Sequence, residues 1–362
     1  MLAPAAAGSW EEERAAAIAA YQAGDYGTAA ERLQAAIKYA ERLGPKNPRL
    51  AATLNDLGMT YFRQGRYAEA EPLHRRALEL RERMYGPDHT DVAASMNDLA
   101  FLLVIQGRYT EAEPLHKRAL AIREATYGPD HPEVAASLNN MGSLYLEQER
   151  YTEAEVLYQR ALGIVEDKLG AEHAYTVASL NNLAALYDEQ GRFGEAEELY
   201  QRALGAAEKS LGPSHPQVAA SLNNLALHYD QQGKYDEAEP LYRKSLGITR
   251  KTLGAEHPDV AASLEHLAVL YTTQKRYKEA EALHRQVLDI RRKTLGQVHP
   301  LIAQSLDHYA NMLIQTGRMA EAQQTQLLAA SIRARHVEAN LPKAMESKDP
   351  KRRAVHLLKT KN

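Results

Sequence analysis

"GPDHPEVAASLNNMGSLYLEQERYTEAEVLYQRALGIVEDKLG", residues 128–170, returns in altered form along the whole chain, and that recurrence decides the fold. His89, His131, His173, His215, His257 and His299 each stand 42 residues after the one before. Gly65, Gly107, Gly191, Gly233 and Gly317 keep the same phase, with Glu149 and Lys275 where the glycine is skipped. Seven units over residues 49–337 therefore share one register, and residues 10–43 read as an eighth, divergent unit. A terminal unit has one face without a neighbour, so divergence is expected there.

Within a unit the apolar spacing is helical. Leu222, Leu225, Ala226 and Tyr229 fall at i, i+3, i+4 and i+7, one face of an α-helix. After Gly233, Ala238, Leu241, Tyr242, Ser245 and Leu246 mark a second helix. Pro132, Pro216, Pro258 and Pro300 suit a first helical position, where the missing N–H has no ladder partner anyway. The segments "TEAE" at 110–113 and 152–155 and "DEAE" at 236–239 predict capping boxes that start the second helix. Pro72, Pro114 and Pro240 lie early enough in that helix to leave it intact.

Composition narrows the function. A net charge of −3 and a pI near 6.5 provide no concentrated positive field for nucleic acid or an anionic membrane. Without cysteine there is no disulfide, zinc-thiolate site or thiol catalysis. No apolar run is long enough to span a bilayer, and a cytoplasmic location is expected, with export the alternative if a signal was trimmed. Residues 1–9 are expected to be unstructured. The basic tail, residues 338–362, is expected to be solvated with at most one short helix, the alternative being a partner-binding arm.

Residues 128–170 also carry Met141, Gly142 and Tyr145, then Ala154, Tyr158 and Ala161, at the spacing of the tetratricopeptide repeat. The chain resembles the 42-residue variety found in kinesin light chains. The resemblance implies an all-α solenoid, a right-handed superhelix of antiparallel helix pairs. It also implies a protein–protein interaction scaffold that binds a peptide segment or partner protein in a concave groove lined by each first helix. A structural or self-assembling protein acting through its ends or basic tail is the alternative. Kinesin light chains carry a heptad coiled coil before their repeats; here about nine residues precede the first helix, so no kinesin heavy chain is expected as partner.

On the family's pattern, two rows of first-helix residues face the groove. One is Asn55, Asn97, Asn139, Asn181 and Asn223, continued by Glu265 and Asp307; the other is Asp56, Asp98, Asn140, Asn182, Asn224, His266 and His308. An amide carries donor and acceptor together, as an extended peptide backbone does. The first row is expected to bind the peptide, and Asn140, Asn182 and Asn224 either to share that work or to tie one repeat to the next. One turn on, Phe62 and Arg63 begin a row that is apolar in the early units and acidic at Asp188 and Asp230. An apolar anchor toward the N-terminal units and basic residues opposite those aspartates are expected of the partner.

The turn histidines read as helix caps or tyrosine contacts, and His74, His116 and His284 as core residues. Glu265, His266, Asp307 and His308 are the nearest approach to a metal cluster, but neighbouring residues on one helix diverge by about 100°, so no metal or cofactor is expected. The sequence has no G-x-S-x-G, H-E-x-x-H or phosphate-binding glycine loop, and no enzymatic activity is expected.

Overall fold

The computed structural model describes residues 9–44 and 46–341 of the chain. Unit 1 pairs α1 (Trp10–Gln22) with α2 (Tyr26–Arg42), and unit 2 pairs α3 (Pro48–Arg63) with α4 (Tyr67–Tyr85). Units 3 and 4 contain α5 (Thr90–Ile105), α6 (Tyr109–Tyr127), α7 (Pro132–Glu147) and α8 (Tyr151–Leu169). Units 5 and 6 contain α9 (Ala174–Glu189), α10 (Phe193–Leu211), α11 (Pro216–Gln231) and α12 (Tyr235–Leu253). Units 7 and 8 contain α13 (Pro258–Thr273), α14 (Tyr277–Leu295), α15 (Pro300–Gln315) and α16 (Met319–Ala339). The last helix thus takes in the first two residues assigned to the tail. The remaining tail from 342 and the N-terminal residues 1–8 lie outside the described residues.

From unit 3 onward each first helix starts at its histidine, whereas Ser9 and Asn47 take that place in units 1 and 2. The ring Nδ1 of His131 accepts the Glu133 N–H at 3.1 Å, replacing one of the partners that a helix start lacks. Tyr127 stacks on the same ring at 4.5 Å. Inside the unit, Val134, Leu138 and Leu144 of α7 interlock with Tyr158, Ala161 and Val165 of α8, all buried. Gly142 lets Tyr158 come in close: a Cβ there would stand 2.6 Å from the ring.

The predicted capping boxes do not form. Thr110, Thr152 and Asp236 lie inside α6, α8 and α12, and Arg108, Arg150 or Lys234 precedes each helix without a side-chain cap. The side chain at that place does other work. Arg150 bonds Glu153 at 2.7 Å, Gln148 at 2.8 Å and Glu113 of the preceding unit at 3.3 Å, and its guanidinium lies 3.8 Å above Tyr145. Arg108, Arg192, Arg276 and Arg318 repeat the bridge between their own glutamate and the preceding unit's. The glutamate of the expected box is therefore an arginine partner rather than a cap.

The array curls until unit 7 returns over unit 1 and unit 8 over unit 2. A Cβ on Gly24 would stand 2.4 Å from Pro258, and one on Gly65 3.1 Å from His299. Left-handed φ alone does not require glycine in these turns, because Glu149 and Lys275 adopt φ of 58° and 61°. The close approach does require it at the seam. His257 and His299 also sit against the backbone of Gln22 and Arg63, at helix ends where carbonyls lack ladder partners. Asn340 completes the seam: its Oδ1 accepts the Ala68 N–H at 2.9 Å and its Nδ2 donates to the Gly65 carbonyl at 3.0 Å. It thereby caps α4 from the far end of the chain. His336 meets Tyr67 edge-on at 5.5 Å.

Candidate binding groove

Successive first helices approach one another directly, as α5 does α7 and α7 does α9, so the first helices line the inside of the curve. Rows of side chains run from unit to unit along that face. Ala52, Ala94, Ala136, Ala178, Ala220 and Ala262 form a rail of minimal height. Beside it runs the row containing Asn140, Asn182 and Asn224, and beyond that Met59, Phe101, Ser143, Ala185, Leu227 and Val269.

The amides of the first expected row are largely engaged within the array. Asn139 donates to Ser179 of the next unit at 2.9 Å, and Asn97, which is buried, donates to Ser137 at 3.4 Å. Asn55 bonds Asp98 of the next unit and accepts from His74 at 2.6 Å; His116 bonds Asn97 in the same way at 2.9 Å. Asn223 accepts from His266 of the following unit at 2.7 Å, and Asn181 folds back onto the Val177 carbonyl at 2.9 Å. Four of these five asparagines, all but Asn181, join one repeat to the next. In the adjacent row Asp98 and His266 are the inter-unit partners of Asn55 and Asn223, whereas Asn140 is exposed and Asn182 and Asn224 are half-buried without such a bond among the described residues. One residue along a helix is a rotation of about 100°, enough to separate joint from groove.

The expected acidic stretch changes likewise. The Asp188 carboxylate is buried and accepts from His228 of unit 6 at 2.6 Å, so it is withdrawn from the groove. Asp230 lies 3.5 Å from the Tyr242 hydroxyl, and burial raises its pKa. Glu147 and Glu189 are the carboxylates that face inward. Toward the N-terminus the lining is apolar: Phe62 packs on Phe101 at 5.2 Å, and Phe101 and Ile105 are exposed. Arg63 is exposed and donates to the Tyr21 hydroxyl at 3.1 Å. Ile18, Tyr21 and Met59 border a neighbouring cavity of about 300 Å³.

At the C-terminal end, Glu265 is buried. Burial raises its pKa, but the approach of His308 at 3.3 Å and the Arg291 guanidinium outweigh that and hold it near 2. Asp307 pairs instead with Arg333 on α16. Of the four residues of the nearest metal-like cluster, Glu265 and His308 adjoin at 3.3 Å while His266 bonds Asn223 and Asp307 bonds Arg333, and among the described residues no group of three candidate ligands converges. His74, His116 and His284 are core residues as expected, and burial lowers each pKa to about 4. The arginine clasp and the seam escaped the sequence reading. The clasp had a visible signal in the 42-residue phase of Arg66, Arg108, Arg150, Arg192, Arg276 and Arg318.

A family model described as Tetratricopeptide repeat matches residues 12–83, 49–124, 91–167, 135–209, 175–251, 217–293 and 259–335. Among solved structures, nearly identical TPR-like repeats from Podosopora anserina, of kinesin light chain type, are 32% identical. That match covers 57% of this chain and 98% of the other, with a TM-score of 0.47. BtubC (BKLC) from P. vanneervenii is 23% identical over 68% of this chain and 93% of its own, with a TM-score of 0.50. A Rap protein complexed with Competence and Sporulation Factor is 15% identical over 86% and 81%, with a TM-score of 0.63. No curated protein matches the sequence. Among the described residues, no helix is long and apolar enough to cross a membrane.

Proposed function

Because the chain belongs to the tetratricopeptide repeat family, we propose that it is an interaction scaffold that captures an extended peptide segment of a partner protein along its inner face. One observation carries the reading: Asn140, Asn182 and Asn224 stand in line on adjacent units, beside Ala136, Ala178 and Ala220. The amides offer paired donors and acceptors at repeat spacing, and the alanines let a backbone approach them. Phe101 and Ile105 suit an apolar side chain at the N-terminal end of the bound segment, and Glu147 and Glu189 suit basic ones further on.

The test is affinity selection from a library of unstructured peptides, using the wild type and the triple variant Asn140→Ala, Asn182→Ala, Asn224→Ala. Selection should be lost in the variant while far-UV circular dichroism is unchanged; equal enrichment on both proteins would remove the groove reading. Truncation after residue 342 keeps Asn340 and should leave selection intact. Loss on truncation would transfer the interaction to the basic tail.

A further inference from the structure

At several joints between units the chain places one of its own arginines in the same slot. Arg81 donates to the Asp91 carbonyl at 3.2 Å and to Ser95 Oγ at 2.7 Å. Arg123 donates to the Glu133 carbonyl at 3.1 Å and to Ser137 Oγ at 2.9 Å. Arg291 donates to the Leu301 carbonyl at 2.9 Å and also bonds Ser305. In each case a guanidinium reaches the next unit's first helix and finds a first-turn carbonyl and a serine hydroxyl one turn later.

In the middle of the array the same phase reads Val165, Ala207 and Thr249. The acceptors remain at the joint of units 6 and 7, where Asp259 and Ser263 occupy the places of Glu133 and Ser137. The arginine is missing there. A cavity of about 250 Å³ takes its place, floored by Ser245 and Thr249 and walled by Asp259 and Ser263. Its lining also includes Ala220, Asn224, Ala262 and His266, all residues of the inner face, so it opens onto the groove. Ser263 Oγ turns back to the Asp259 carbonyl at 3.2 Å, as Ser305 does to Leu301 beside Arg291, so the carbonyl keeps a second lone pair for a guanidinium. The Asp259 carboxylate supplies negative charge at the side of the cavity, 58% exposed.

We propose that this cavity is a receptor for the guanidinium of an arginine side chain presented by the bound partner, which completes the joint as Arg81, Arg123 and Arg291 complete theirs. The inference rests on the groove reading and adds a residue type and a place to it. A planar fork of N–H donors can serve a carbonyl and a hydroxyl at once, whereas an ammonium is a compact, more strongly hydrated point charge.

The test is to titrate the ¹⁵N-labelled chain with N-acetylarginine N-methylamide and with its lysine counterpart. The arginine probe should shift the amides of Thr249, Ser263 and His266 and saturate in the millimolar range, with the lysine probe at least about tenfold weaker. Thr249→Arg, which supplies the guanidinium from within, should abolish the shifts and raise the melting temperature. Thr249→Val, similar in shape, should retain them. Absence of shifts, an equal response to both probes, or arginine binding undiminished in Thr249→Arg would overturn the proposal. If Thr249→Arg does not fold, Ser263→Ala decides: several-fold weaker arginine binding supports the site and unchanged binding refutes it. The probes are single residues, so a double variant Asn140→Ala, Asn182→Ala that loses peptides but still binds the arginine probe separates the two readings.

Discussion

Gly24→Ala and Gly107→Ala form a matched pair for the seam. Both glycines sit in the turn between the helices of their unit, with φ of 75° and 71°, so alanine meets the same left-handed cost of about 1–2 kcal/mol at each. Their surroundings differ. At Gly107 the new methyl meets nothing within 4 Å, whereas at Gly24 it would stand 2.4 Å from Pro258 Cδ, on a rigid ring at a helix start. Overpacking of that kind costs about 1–3 kcal/mol, and the cheapest relief is separation of unit 7 from unit 1. Gly24→Ala should therefore lose about 1–3 kcal/mol more than Gly107→Ala and increase the radius of gyration in small-angle scattering. It should also speed hydrogen exchange at the Ala68 amide, which Asn340 holds in the closed form. Equal stability losses, with unaltered scattering and Ala68 exchange in both variants, would refute the seam.

Acid should act at the same place. Burial keeps His299 neutral in the closed array, with its pKa lowered from 6.5 to about 4, and its neighbours Arg63, Arg291 and His336 belong to the seam or adjoin it. Its contribution is complete above pH 6.5 and disappears as pH falls through 4, with at most about 3 kcal/mol involved. His74, His116 and His284 add losses in the same window, so melting temperature should fall from pH 6.5 to 4.5; a flat profile contradicts this. Asn340→Ala removes the cap of α4 and should cost about 1 kcal/mol, read as faster Ala68 exchange with the core amides unaffected. Arg291→Ala strands the buried Glu265 carboxylate and should destabilise by about 3–5 kcal/mol in urea unfolding; a loss under 1 kcal/mol, about what a surface pair contributes, argues against a buried pair.

The helix pairs were legible because their signals are local and repeated seven times. The histidine that caps, the glycine that turns and the alternation of Leu, Ala and Tyr each act within a few residues. The side chains facing the groove were harder to read, since Asn139 and Asn140 differ by one position and are alike in chemistry. What separates them is the Ser179 hydroxyl on the next unit, 40 residues away. The capping boxes misled because "TEAE" has the right letters, yet at 152–155 the box glutamate Glu155 answers Arg192 of the next unit and the helix has already begun at Tyr151. The seam joins Gly65 to His299 and Ala68 to Asn340, pairs that no period of 42 brings together. Only the accumulated curvature of the joints does so.

A linear repeat array loses its end units first, because each end has one neighbour fewer, and stability falls off toward the termini. Here Asn340 and His336 at one end rest on Gly65, Ala68 and Tyr67 near the other, so each terminus shelters its opposite. The units then behave as links of a closed chain. Fraying at either end must first release the other, and truncating unit 1 should expose unit 7 to exchange although their sequences lie more than 200 residues apart.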